Sequence, residues 1–216
     1  MKFVSAIFSV VALLMGNQPG FAQGFVNLDF EAANVPSSYT FSANAAEILP
    51  DWTVIAPYVS YDDPSLSGNS ISIMDANGYP PHPIQGVYFA FLSSGNTPGT
   101  GVTISLSQNG TIPLGTESMT FWGNIGGLQI TFDGQSLAFS ELGSTANYNI
   151  YGANVSQFAG DSGQLLFSLP AYDGSAALDN IQFSPSPVPE PSTLALCALG
   201  GLLLVVSRSR RIFSKT

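Results

Sequence analysis

The segment LQITFDGQSLAFSE, residues 128–141, alternates apolar and polar side chains on both sides of an Asp-Gly pair. In its first half the apolar residues occupy every second position, with Gln129 and Thr131 between them. This period of two is typical of a β-strand with one buried and one solvated face. Asp133-Gly134 is a favoured pair for the tight turn of a hairpin into LAFSE. The segment therefore predicts a two-faced antiparallel sheet.

Similar short runs, separated by Gly, Pro, Asn, Asp and Ser, recur along most of the chain. No segment of ten or more residues between them has a helical period, although residues 155–159 fit a single turn. The pattern predicts an all-β, two-sheet antiparallel sandwich, with a jelly roll as the leading topology. We expect strands at residues 25–31, 52–56, 87–92, 102–107, 117–122, 128–132, 137–141, 147–151, 164–169 and 177–183.

The charged residues are divided between the middle of the chain and its two ends. All fourteen acidic residues lie between Asp29 and Glu190, whereas the five basic residues are Lys2, Arg208, Arg210, Arg211 and Lys215. Nucleic acids and anionic lipid surfaces are bound through Lys and Arg. We therefore expect the central domain to bind neither, and to accept cations or neutral molecules.

The N-terminus has the composition of a secretory signal peptide. One lysine precedes an apolar stretch over residues 3–15, and the small residues Gly20 and Ala22 lie just before the expected cleavage point. We assign residues 1–22 to this signal, the alternative being a buried N-terminal strand or helix. The single cysteine, Cys197, lies outside the central domain, which is therefore expected to have no disulfide and no thiol nucleophile.

The C-terminus combines a proline-rich linker, an apolar run and a basic tail. Pro189 and Pro191 prevent helix formation before Ser192. The residues that follow are mostly apolar as far as residue 206, and arginines come directly after them. This pattern predicts a short membrane helix whose C-terminal end lies in the cytoplasm. We divide the chain into an ectodomain (23–184), a linker (185–191), a transmembrane helix (192–207) and a basic cytoplasmic tail (208–216).

This C-terminal arrangement resembles the PEP-CTERM sorting signal of Gram-negative bacteria. The resemblance is carried over about residues 187–211 by Val188-Pro189-Glu190-Pro191, the apolar run, and the cluster Arg208, Arg210 and Arg211. It implies recognition by a membrane-embedded exosortase, transient anchoring in the inner membrane, cleavage near Pro-Glu-Pro, and delivery to the cell surface or extracellular matrix. The alternative is a permanent membrane anchor that is never cut.

The central domain is also similar to galactose-binding-like jelly rolls. NLDFE, LPDWTV, PIQGVYFAFL and ALDNIQF carry this resemblance by their order and spacing. It implies that the first and last strands lie side by side, with a structural calcium ion near them and a ligand, usually a sugar, bound by loops or by one sheet face. None of the family's sugar-binding positions can be transferred to this chain, so the ligand-binding residues stay unassigned.

Asp179 is the acidic residue that most needs a partner. If Ala177, Ile181 and Phe183 face the core, alternation places Asp179 on the same side, where an unpaired carboxylate is costly. The domain has no Lys or Arg to pair with it. Backbone N–H groups or hydroxyls at a strand end are one solution, and a calcium ion shared with Glu31 is the other. We interpret Asp62-Asp63 and Asp75 as solvated turn residues.

Little in the sequence points to catalysis. His82 is the only histidine and lies among prolines, so neither a catalytic triad nor a histidine metal centre is readily assembled. Trp52, Trp122, Tyr58, Tyr61 and Tyr79 are aromatic candidates for sugar stacking, with the two tryptophans more typical of a core.

Two functions follow from these observations. The first is a non-enzymatic protein of the cell surface or extracellular matrix, either a structural protein or one that binds exopolysaccharide, and the alternative is a secreted enzyme that acts on polysaccharide through two carboxylates.

Overall fold

The computed structural model describes residues 24–62, 68–75, 84–95 and 101–188. Within these ranges the chain forms short strands, one helical turn, α1 (Ala45–Ile48), and one 3₁₀ turn at Ser156–Phe158. The strands are β1 (Thr53–Ile55), β2 (Tyr58–Tyr61), β3 (Asn69–Met74), β4 (Phe89–Ser94), β5 (Ile104–Thr111), β6 (Ser118–Asn124), β7 (Gln129–Phe132), β8 (Gln135–Ser136), β9 (Phe139–Ser144), β10 (Asn149–Asn154), β11 (Ser162–Leu169) and β12 (Ser175–Ser184). In the part of the chain that the structure describes, no helix is long and apolar enough to cross a membrane.

 

The strands form two sheets that pack face to face. One sheet has the order β1-β5-β11-β7-β8, and the other has the order β2-β3-β4-β12-β6-β10-β9. All neighbouring strands are antiparallel except β2 and β3, which are parallel. The all-β, two-sheet sandwich predicted from the sequence is confirmed, with one parallel pair added to its antiparallel pattern.

Aromatic side chains connect the two sheets through the core. Phe121 of β6 contacts Phe167 of β11 with ring centroids 6.2 Å apart, and Trp52 contacts Phe167 at the same distance. Phe30 stacks on Trp52 at 5.5 Å. Burying a large apolar side chain of this kind contributes about 1.5–3 kcal/mol. These contacts between the two sheets therefore contribute to the stability of the domain.

The Asp-Gly turn is formed as predicted, but the strand after it is divided between the sheets. Asp133 and Gly134 have φ values of 46° and 77°, as a tight hairpin turn requires. The turn joins β7 to the two-residue strand β8. The chain then crosses to the other sheet, where β9 pairs with β10. The single predicted strand 137–141 is thus wrong at its start, because Leu137 is buried in the crossover between the sheets.

The strand predicted at residues 25–31 is not formed. Asn27 and Phe30 have φ values of 48° and 59°, which are incompatible with an extended strand. The segment is a series of turns held by side chains: Asn27 Nδ2 donates to the carbonyl of Pro50, and Trp52 Nε1 donates to the carbonyl of Asn27. It still lies beside the last strand, since the N–H of Ile181 donates to the carbonyl of Leu28.

The other predicted strands lie within a few residues of observed ones, whereas β2 and β3 were not predicted. Both missed strands pair in parallel at the edge of the larger sheet. The single turn expected at residues 155–159 is present as the 3₁₀ turn. The predicted signal peptide (1–22), transmembrane helix (192–207) and basic tail (208–216) lie outside the described residues.

Candidate functional site

Asp179 lies in β12 directly before a β-bulge, on the face of the larger sheet opposite to the core residue Leu178. The ladder between β12 and β6 shifts register between Asp179 and Gln182, and Asn180 has a φ of 47°. Leu178 and Ile181 both belong to the main core, so the bulge breaks simple alternation between them. The expected common face for Ala177, Asp179 and Ile181 is therefore wrong. Ala177 belongs instead to a second apolar cluster, with Met74, Ile84, Phe89 and Phe91.

Asp179 is nevertheless fully buried, with 0% of its surface exposed. Its Oδ2 accepts a hydrogen bond from the N–H of Gln85 at 2.7 Å, and its Oδ1 accepts one from the N–H of Asn180 at 2.6 Å. Burial raises the pKa of this carboxyl to about 8, against the lowering effect of the two N–H groups, and the charges of Glu31 and Asp29 raise it further. Hydrogen bonds from backbone N–H groups, one of the two kinds of partner considered for Asp179 from the sequence, are therefore present in the structure.

Glu31 binds the same loop as Asp179. Its Oε1 accepts hydrogen bonds from the N–H of Val87 at 2.7 Å and of Tyr88 at 3.0 Å. Gly86, between these donors and Gln85, has a φ of 61°, and a side chain on it would overlap the Glu31 carboxylate. The structure therefore brings the two predicted calcium ligands, Glu31 and Asp179, to one loop. No group of three or more His, Cys, Asp or Glu side chains suited to a metal ion is present in the described part of the chain.

A second acidic pair follows the parallel strands β2 and β3. The Tyr61 hydroxyl donates to Asp75 Oδ2 at 2.8 Å, and burial together with this bond raises the pKa of Tyr61. Burial also raises the pKa of Asp62, as does the charge of Asp75. Asp62 and Asp75 are therefore partly buried and are not simply solvated turn residues. Asp63, the third residue of that interpretation, lies outside the described residues.

A pocket of about 380 Å³ opens at one end of the sandwich, where β4 and β6 end and β10 and β12 begin. Gly126 forms part of its wall, and its N–H donates to the carbonyl of Ser175 at 3.2 Å. A Cβ at Gly126 would lie 2.8 Å from the carbonyl oxygen of Asp173 and 2.9 Å from that of Ser175, so this close approach requires glycine. The lining residues are Phe91, Asn124, Ile125, Gly126, Asn149, Tyr151, Ser175 and Ala177.

The polar groups of this pocket are neutral and partly held in place. Asn149 Nδ2 donates to the Tyr151 hydroxyl at 3.0 Å, and Asn124 Nδ2 donates to the carbonyl of Asn147 at 2.8 Å. Within the described ranges, no hydrogen bond engages Oδ1 of either asparagine. The pocket therefore presents amide acceptors, a hydroxyl and an aromatic ring, with no charged side chain in its lining.

The aromatic candidates from the sequence occupy different environments. Trp52 is a core residue, 6% exposed, as expected. Trp122 is half-buried outside the main core and stacks on Tyr148 with ring centroids 5.2 Å apart. Tyr58 is 46% exposed and lies on the edge strand β2. His82 and Tyr79 lie outside the described residues.

The sequence did not indicate the pocket residues. Asn124, Asn149 and Ser175 lie at strand ends, where such residues are usually turn formers. They meet only because β12 pairs with β6 and β6 pairs with β10. Without the strand order, no local pattern could have grouped them.

The C-terminal residues match a known sorting signal. Residues 187–211 match the model of the PEP-CTERM protein-sorting motif, which confirms the resemblance described above. The motif implies export, sorting to the cell surface in Gram-negative bacteria, and processing by an exosortase. Val188 is its last described residue, whereas Pro189, Glu190, Pro191, Arg208, Arg210 and Arg211 lie outside the described ranges.

Solved structures with a similar arrangement of strands are distant in sequence. TmCBM61, in its complex with β-1,4-galactotriose, is 14% identical with a TM-score of 0.39, and the alignment covers 75% of this chain and 97% of that one. The K2 cleaved adhesin domain of Lys-gingipain is 13% identical with a TM-score of 0.40, covering 76% and 97%. Tailspike protein 4 of bacteriophage CBA120 is 16% identical with a TM-score of 0.38, covering 67% and 21%. No curated protein matches the chain in sequence.

The fold and the motif together define a class: an exported, surface-sorted protein whose ectodomain is a β-sandwich.

Proposed function

We propose that this protein is a non-enzymatic component of the cell surface or extracellular matrix that binds a neutral exopolysaccharide. The observation that carries the proposal is the uncharged polar pocket at the end of the sandwich. Its volume of about 380 Å³ lies within the usual range of about 300–1,000 Å³ for ligand pockets.

The chemistry of the lining fits sugar hydroxyl groups. Each hydroxyl both donates and accepts hydrogen bonds, and Asn124, Asn149 and Tyr151 offer both functions. Phe91, which is largely buried, adds apolar wall to the pocket. Because the ectodomain (23–184) contains thirteen acidic residues and no Lys or Arg, a polyanionic glycan would be repelled.

The same lining supports a binding role rather than hydrolysis. Glycosidases use two carboxyl groups about 5–9.5 Å apart beside the scissile bond. No carboxylate lines this pocket, and the buried Asp179 has no exposed surface with which to reach a substrate. The alternative of a polysaccharide-active enzyme therefore has less support than a binding protein.

Titration calorimetry with the producer's neutral exopolysaccharide tests this function. The Asn149→Ala ectodomain should bind about two- to tenfold more weakly, since a lost hydrogen bond costs about 0.5–1.5 kcal/mol and 1.4 kcal/mol is tenfold. Asn109→Ala, which changes an exposed asparagine of β5 outside the pocket, is the matched control.

Two results would contradict the proposal. Equal affinity for the Asn149→Ala and Asn109→Ala variants would remove the pocket as the binding site. Release of reducing ends from the polysaccharide by the wild-type protein would instead favour the enzymatic alternative.

A further inference from the structure

The sorting motif begins inside the folded domain. The match starts at residue 187, and residues 185–188, which we call the tether, still contact the sandwich. The N–H of Glu117 donates to the carbonyl of Ser184 at 2.8 Å, and Ser118 Oγ donates to the carbonyl of Ser186 at 2.7 Å. The Ser186 N–H also donates to Ser184 Oγ at 3.0 Å. The tether is therefore fixed on the start of β6.

The end of the tether lies over a glycine of β10. A Cβ at Gly152 would lie 3.4 Å from Cγ1 of Val188 and 2.7 Å from Cδ1 of Leu142. The absence of a side chain at Gly152 thus makes room for both residues. Val188 is partly buried there, although it is the residue directly before the Pro-Glu-Pro of the motif.

The docked tether limits how far the motif can extend from the domain. An extended chain spans at most about 3.6 Å per residue, so the four steps from Val188 to Ser192 reach about 14 Å. Release of the four residues 185–188 would roughly double this reach. An enzyme that processes the motif must bind it within this short distance of a folded sandwich, or act after the tether has dissociated from β6 and β10.

We propose that the docked tether is an autoinhibitory contact, which makes release of residues 185–188 from β6 and β10 a step in exosortase processing. This inference rests on the sorting motif and does not depend on glycan binding by the pocket. The folded ectodomain and the processing enzyme compete for the same segment, so weaker docking gives faster cleavage.

The test is pulse–chase conversion of the full-length precursor in cells that contain the exosortase. Ser118→Ala removes the hydrogen bond to Ser186 without changing the motif, and it should speed conversion about two- to tenfold, as expected for one hydrogen bond. Ser162→Ala is the matched control and should leave the rate unchanged. The Ser162 hydroxyl contacts Thr111 within the smaller sheet, which does not include β6 or β10.

Insertion of a spacer distinguishes an effect of tether docking on the processing rate from an effect of lower domain stability. Insertion of Gly-Ser-Pro-Val after Val188 repeats Pro-Val before Pro189 and lengthens the free chain while the tether stays docked. It should speed processing of the wild-type precursor and abolish the difference between wild type and Ser118→Ala. A destabilised domain alone would keep that difference.

Hydrogen exchange gives the direct measurement of docking. The amide of Ser186 should be protected in the wild-type precursor and less protected in Ser118→Ala. Equal processing rates for the two proteins, with exchange showing a released tether in the variant, would overturn the proposal, as would an unprotected Ser186 amide in wild type. If Ser118→Ala does not fold, Ser184→Ala removes the second contact and is read in the same way.

Discussion

Replacing Asp179 with Asn should remove a pH dependence of stability that the wild-type ectodomain shows between about pH 5 and 8. Burial raises the pKa of Asp179 to about 8 in the folded state, from an ordinary value of 3.8. Between these values the folded protein binds one proton more than the unfolded chain does. The free energy of unfolding therefore falls as the pH rises, and this contribution of Asp179 is complete below pH 3.8 and lost through about pH 8.

The magnitude follows from the proton that one buried group holds. Each pH unit between the two pKa values changes the unfolding free energy by about 1.4 kcal/mol, or roughly 2.7 kcal/mol from pH 5 to 7. Asparagine has one acceptor oxygen for the two N–H donors of Gln85 and Asn180, so the variant loses about 1–3 kcal/mol at pH 5. The variant should therefore be less stable than wild type at pH 5, and the difference should vanish between about pH 6 and 7 and reverse by pH 8.

Urea denaturation of residues 23–188 at pH 5, 6, 7 and 8 measures this difference. Asp133→Asn is the matched control, because Asp133 is an exposed turn residue at a φ of 46° that asparagine also tolerates. The control should follow the wild-type pH profile. A wild-type protein that grows more stable from pH 5 to 8, or an Asp179→Asn variant with the wild-type slope, would refute the reasoning.

Three further predictions concern calcium, backbone packing and processing. If Glu31 and Asp179 share a calcium ion, millimolar Ca²⁺ should raise the melting temperature more than NaCl of equal ionic strength does, because binding at a hundred times Kd adds about 2.7 kcal/mol to the free energy of unfolding. Asp179→Asn should abolish this difference, and equal shifts from both salts would exclude the site. Gly123→Ala should destabilise the domain by several kcal/mol, because its Cβ would overlap the carbonyl of Ala177, whereas Gly143→Ala has open space and should change stability by less than about 1 kcal/mol in denaturation experiments. Intact-mass analysis of protein released from the cell surface should find a start near Gln23 and an end near Glu190; recovery of only full-length protein in the inner membrane would instead support a permanent anchor.

Alternation predicted strands wherever one face is buried and the other is wet. The segment around Gln129 and Thr131 is such a strand, and its Asp-Gly turn forms as the dipeptide requires. The same pattern failed at residues 25–31, where side-chain bonds of Asn27 stabilise turns over an extended chain. It also missed β3, whose residues are buried along almost the whole strand and so carry no alternating signal.

The candidate sites differ in how far the sequence could predict them. Asp179 could be identified because a domain without Lys or Arg leaves a core-like carboxylate with few partners. Its contact with Gln85 was not predictable, because the two residues are 94 positions apart and meet only through the loop before β4. The pocket was likewise not predictable from the sequence, since Asn124 and Ser175 become neighbours through the strand order alone.

The last strand connects the pocket to the tether. β12 begins at Ser175 in the pocket lining and ends at Ser184, directly before the tether. Ten residues at about 3.3 Å each separate these points by about 30 Å. The tether approaches the pocket again at its end, because Val188 lies over Gly152, the residue next to Tyr151 of the pocket lining. Because β12 pairs with β4 and β6 in the middle of the sheet, release of the tether can stop at Ser184 and leave the pocket intact.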